Sequence, residues 1–267
     1  MSARIPLPKE HGAWAMWIAP YLVVALSYGS LDGRIFLMAV LLFFVFVAQE
    51  PILSIMRLRL VRQANRERYS FMLRWLVVYL LIVSTSFTLL VIRYSVWWLF
   101  AFGAVAGVVL LLHILLKSER ADRKIAGEFL SVLGLTMSAP ATYYILKLQL
   151  DRTALLLWLL HVLYFASSIF YVKMRVSRFA HKSNFRTLAW QCGGYHLFLT
   201  VLIVGLVELR FVPVFVLLAF APVLVRATLG IVMPEQKLNL TRIGLAEVGF
   251  TTIFVVFLVW GLRMTLP

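Results

Sequence analysis

Residues 75–92, WLVVYLLIVSTSFTLLVI, run for 18 positions without a charged side chain. The stretch is apolar around its whole circumference, which marks a helix facing lipid or buried in a bundle rather than one lying half in water. A spanning helix needs ~20 mostly apolar residues, so this run with its flanks is long enough to cross a bilayer.

The rest of the chain has the same character. Of 267 residues, 63% are hydrophobic and 14% charged, and mean hydropathy is +0.93, well outside the range of soluble domains. Spans of ~20 residues with short connections leave room for about eight to ten helices and for no separate soluble domain. Apolar runs between charges predict nine: 12–28, 35–56, 73–92, 95–116, 126–146, 153–172, 188–207, 211–231 and 240–262. Only IRYS (92–95) separates the third from the fourth. The expected fold is therefore all-α, a single polytopic transmembrane bundle of nine helices over residues 1–267. The basic N-terminus and first apolar run resemble a secretory signal. That run is long and rich in Trp and Pro, so it reads as a retained span. The single cysteine, Cys192, lies in an apolar stretch, reads as a buried side chain, and supports neither a disulfide nor a cysteine metal site.

Charge sets the expected orientation. With the N-terminus inside and the C-terminus outside, 20 of the 26 Lys and Arg fall on the cytoplasmic side, Arg226 being counted with the basic connections. That bias accounts for the net charge of +15 without a nucleic-acid partner, which would need an exposed basic domain. Small residues in GEFLSVLGLTMSAPATYY (127–144) and WQCGGYHLFLT (190–200) predict close helix contacts and place both spans in the interior. Pro20, Pro51, Pro140 and Pro222 each stand where a helix can kink, and kinks at membrane depth often border cavities.

Ionisable residues near the spans are the candidates for chemistry, because charge in a bilayer is costly unless paired or functional. Glu50, just before Pro51, has Arg57 seven residues on and on the same helical face. The two form a salt bridge, or Glu50 faces a ligand. Glu128 opens the fifth span, where the helix dipole alone favours a carboxylate; the alternative is that it faces Glu50 and helps hold a cation or an amine. His113, His161 and His196 lack metal-ligand spacing and read as hydrogen-bonded interior residues. In YVKMRVSRFAHKSNFR (171–186), the cations cannot all share one helical face, so part of the run is a loop. Its Lys173, Arg175 and Arg178, with the neighbouring Tyr171, and Lys117 and Arg120 after the fourth span, either retain the loops inside or surround a mouth suited to a phosphorylated ligand. Odd-numbered helices would point their positive dipole ends at that mouth. PKEHGAWAM (8–16) puts Lys9, Glu10 and His11 at the same level, with Trp14 on the face of His11. His11 with Lys9 is the pair expected to touch a head group.

PKEHGAWAM, AQEP (48–51), KSERADRKIAGEFLSVLGLTMSAPATYY (117–144) and FYVKMRVSR (170–178) resemble the YwiC-like bacterial membrane proteins over nearly the whole chain, which implies a multi-pass protein of the bacterial cytoplasmic membrane. The layout is also similar to the UbiA superfamily of intramembrane prenyltransferases. That resemblance implies nine helices around a central cavity, with substrate-binding loops after the second, fourth and sixth. Those enzymes hold two Mg²⁺ ions on NDxxDxxxD and DxxxD motifs, bridging to a prenyl diphosphate. Here QEPILSIMR (49–57) offers Gln49, Glu50, Leu53 and Arg57 at the first motif, and KMRVSR (173–178) has no carboxylate at the second. Mg²⁺ is accordingly disfavoured and no cofactor is expected. If the protein is an enzyme, it is a prenyltransferase-like transferase without the usual two metal sites.

The resulting expectation is a membrane protein that binds a lipid phosphate or prenyl diphosphate in a cavity open to the cytoplasm. Lys117, Arg120, Lys173, Arg175 and Arg178 would hold the head group. A small-anion transporter and a structural subunit of a membrane complex are the competing readings, and the sequence names no protein partner.

Overall fold

Apolar runs become helices throughout the computed structural model, which describes residues 5–8, 11–29, 32–60, 66–118, 125–180, 183–232 and 240–265. Among these residues the helices are α1 (His11–Tyr28), α2 (Gly33–Leu60), α3 (Arg66–Tyr94), α4 (Leu99–Ser118), α5 (Ile125–Leu135), α6 (Ser138–Lys147), α7 (Arg152–Phe179), α8 (Phe185–Glu208), α9 (Phe215–Val232) and α10 (Leu240–Thr265), with no strands. The helices α5 and α6 are two halves of one span, Ile125–Lys147, so nine segments run through the bundle, as expected. Seven of them are long and apolar enough to cross a membrane, and Gly12–Tyr28 and Leu99–His113 are shorter apolar helices.

The break between α5 and α6 follows from Pro140. A proline has no N–H, so it cannot serve the carbonyl four residues back, that of Thr136. The amide of Ala139 bonds to the Thr136 carbonyl instead (3.0 Å), a tighter turn, and Ser138 Oγ donates to Trp17 O (2.9 Å), tying the break to α1.

Helix ends are fixed by side chains. Asp151 caps α7, its Oδ1 accepting from the amides of Thr153 (2.8 Å) and Ala154 (3.2 Å) while Oδ2 accepts from Tyr143 Oη (3.0 Å). Arginines close the opposite ends by donating to carbonyls that no helical amide reaches. Arg34 bonds to Ile145 O and Leu146 O at 3.2 and 3.3 Å, and Arg263 Nε to Leu26 O at 2.8 Å.

The centre of the molecule is α7, where His161, Tyr164, Phe165 and Ala166 are buried. Tyr164 stacks on Phe254 of α10 (centroids 4.0 Å apart) and meets Phe220 of α9 edge-on. The 127–144 region is interior as expected, with Gly134 so close to α4 that an added Cβ would lie 2.5 Å from Val109 Cγ1. The expectation for 190–200 is corrected. Only the Cys192, His196 and Leu199 face of α8 is buried, whereas Trp190, Leu197 and Phe198 are exposed and Gly194 faces open space. Small residues permit close contact but do not require a partner, so their stripe alone could not place the helix.

Candidate functional site

The sequence candidates do not form one constellation. Lys9, Glu10 and Arg120 lie outside the described residues, as do the side chains of His11 and Lys117. Trp14 serves packing: its Nε1 donates to Pro8 O (3.2 Å) and its ring meets Phe46 edge-on at 4.8 Å. Glu50 accepts from Ser54 Oγ (3.3 Å), Arg57 is exposed, and among the described residues these two do not pair. Glu128 pairs with Lys173 across α5 and α7, Nζ to Oε1 2.9 Å.

The 171–186 run splits as its charges required, continuing α7 to Phe179 and entering α8 at Phe185. Arg178 is turned to α9, where Nη1 donates to Gly230 O (3.0 Å) and Ile231 O (3.4 Å), and its guanidinium lies 4.9 Å from the Phe185 ring centroid. It neutralises carbonyls at the negative end of that helix, a structural use of the charge.

Tyr171 and Arg175, by contrast, reach a cavity of about 530 Å³ between α7, α9 and α10. Pro222, Arg226, Gly230 and Phe250 line it with them. Val225 and Leu229 complete the wall and are 58% and 45% exposed, so the cavity opens through the flank of α9. Pro222 borders it, as a proline at membrane depth was expected to.

Arg226 is the residue that sequence reasoning misplaced. It lies inside α9, six residues before Val232, and is 6% exposed. Its Nη1 donates to the Glu247 carboxylate of α10, whose other oxygen accepts from Ser168 Oγ of α7 at 2.7 Å. The guanidinium lies 4.4 Å from the Tyr171 ring centroid and 5.2 Å from that of Phe250, cation–π distances. Its Nε and Nη2 have no acceptor among the described residues, nor does Arg175 Nε. Gly230 makes the arrangement possible, because a Cβ there would stand 2.7 Å from Tyr171 Cε2. The available signal was an Arg and a Glu, each about two turns inside an apolar run, 21 residues apart.

Elsewhere His161 and His196 are buried hydrogen-bonding residues, as expected, whereas His113 is only partly buried. His113 Nδ1 meets Ser131 Oγ at 3.3 Å, and the Nδ1–H groups of His161 and His196 donate to Leu157 O (2.6 Å) and Cys192 O (2.7 Å). Cys192 is buried. Among the described residues no group of three His, Cys, Asp or Glu is placed to hold a metal ion.

The Arg226 guanidinium thus presents two nitrogens without an acceptor among the described residues beside an apolar wall. The family model for YwiC-like protein matches residues 7–143. This chain belongs to the YwiC-like family. The match ends ahead of α7, so the cavity of this YwiC-like chain lies beyond it. An uncharacterized protein of Haemophilus influenzae is 24% identical over 255 residues, covering 96% of this chain and 98% of that one, and so spans the cavity region. No solved structure matches the chain.

Proposed function

We propose that this YwiC-like protein binds an anionic lipid, with the phosphate-bearing head group at Arg175 and Arg226 and the chain against the apolar wall formed by Ala221, Pro222, Val225 and Leu229. One observation carries the reading: two guanidiniums with unused donors line a cavity that opens sideways among exposed apolar residues. A buried charge without full compensation is expensive, and an anion supplies the missing acceptors. Sideways opening favours a ligand already dissolved in the bilayer over a small water-soluble anion. Nothing in this reading requires a chemical step. Lys117, Arg120, Lys9 and His11 remain candidates for a second, cytoplasmic contact, and the orientation proposed is N-terminus inside, C-terminus outside, in the bacterial cytoplasmic membrane.

The test is native mass spectrometry and thermal stability of the purified protein in mild detergent. A lipid with an acidic head group co-purifies with the wild type, and adding lipid phosphates raises its melting temperature more than zwitterionic lipid does. Arg175→Gln weakens both effects. If no anionic lipid stabilises the protein, the reading is wrong. Reporter fusions at both termini test the orientation; a C-terminus found inside would reverse it.

A further inference from the structure

The charges around the cavity also specify how much charge the ligand carries, an inference that rests on the lipid-binding reading above. Lys173 and Glu128 cancel one another at 2.9 Å, and Arg178 keeps its charge but is turned to the last carbonyls of α9 and does not line the cavity. That leaves Arg175 and Arg226 as cations and Glu247 as the anion. Ser168 donates to Glu247 and Tyr171 covers Arg226, and neither adds charge. Among the described residues, the cations that line the cavity and the carboxylate paired with one of them therefore sum to one net positive charge.

We infer that the cavity selects a lipid with a single negative charge, and that Glu247 is the residue that sets this limit. A monoanionic head group neutralises the site. A head group with two or three charges, such as a lipid phosphomonoester or a prenyl diphosphate, leaves an uncompensated charge in an environment of low dielectric, which is strongly unfavourable. It would also stand near the Glu247 carboxylate, which is fixed between Arg226 and Ser168 and cannot move off without stranding Arg226. The arrangement thus resembles a diphosphate site with its metal ions missing less than a phosphodiester or carboxylate site that needs none.

Glu247 is a specificity residue in this scheme, and its removal has a signed outcome. Glu247→Gln keeps the shape and a hydrogen-bonding oxygen and raises the site to two positive charges. The wild type and this variant are reconstituted in neutral nanodiscs and titrated with phosphatidylglycerol (a phosphodiester), oleate (a carboxylate) and dodecyl phosphate, which carries about −1.5 to −2 at neutral pH. The wild type is expected to prefer phosphatidylglycerol or oleate to dodecyl phosphate, and whichever of the two binds better names the source of the monoanion. Glu247→Gln shifts the ratio about tenfold toward dodecyl phosphate, the size expected for one nearby charge partly screened. Arg175→Gln changes a residue at the cavity edge, brings the site to zero net charge, and abolishes the preference for anions. It keeps the inference testable if Glu247→Gln does not fold. A wild type that binds anionic lipids but prefers dodecyl phosphate, or an unchanged ratio in Glu247→Gln, overturns this inference and leaves lipid binding standing. No binding of any anionic lipid overturns both.

Discussion

Lys173 on α7 and Glu128 on α5, two residues that sequence reasoning offered to a ligand, bind each other at 2.9 Å across 45 residues of chain. The pair joins the central helix to the first half of the broken span at the end of the bundle where α5 begins. Glu128 is more than a third exposed, so the pair is worth no more than about 1 kcal/mol. Lys173→Glu and Glu128→Lys should each lower the melting temperature slightly, and the double reversal should restore most of the loss. Strictly additive losses in that cycle would show that the two charges do not act as a pair.

Gly230→Ala should be costly for its size. The new methyl group meets the Tyr171 ring, which is packed against the Arg226 guanidinium and cannot retreat freely. Overpacking of this kind costs ~1–3 kcal/mol. Anionic-lipid binding should weaken with it, because the displaced ring must move toward the cavity. The companion variant Gly230→Ala/Tyr171→Leu removes the obstructing ring edge and should recover stability; if it does not, the contact with Tyr171 is not the cause.

Acid should loosen the end of the bundle where α7 begins. Burial alone would raise the Asp151 carboxyl, but the amides of Ala154 and Thr153 and the Tyr143 hydroxyl together hold it below its ordinary 3.8. A depressed folded-state value contributes stability that is present above 3.8 and is lost as pH falls through the lower folded value. Melting temperature should fall in that acidic window, and Asp151→Asn should flatten the fall while costing only a few tenths to about 1 kcal/mol at neutral pH, since Asn also caps helices. An unaltered acid slope in the variant would remove Asp151 from the explanation.

Trp14→Ala separates packing from binding. The indole contacts Trp17, Phe43 and Phe46 and anchors the chain at Pro8. Its loss should cost about 3 kcal/mol, as truncation of a packed aromatic does, while leaving lipid selectivity unchanged. A changed preference among head groups would instead put Trp14 in contact with ligand.

Segment boundaries were legible because hydrocarbon imposes one rule on every residue in a span: apolar, and long enough. The broken fifth span could be anticipated from Pro140, whose missing amide acts locally. Partners were not legible. Glu50 with Arg57 satisfied helical spacing, yet Glu50 receives Ser54, because spacing along one helix says nothing about rotamers or neighbouring helices. Lys173 with Glu128 and Arg226 with Glu247 depend on which helices become neighbours, and no periodicity encodes that. Arg226 was obscured for a further reason: counting positive charges to orient a chain gathers every cation near a span end into the adjoining connection, including one inside the helix.

The depth of the Arg226 and Glu247 pair has an electrical consequence. Arg226 lies six residues from the end of α9 and Glu247 seven from the start of α10, about 10 Å of helix in each case. A lone charge carried across the whole membrane exchanges ~2.3 kcal/mol with each 100 mV of transmembrane potential. Paired at one depth, these two charges would present almost no net charge to such a field, which would not pull α9 against α10. Replacing either partner by a neutral residue would leave the other's charge exposed to such a field.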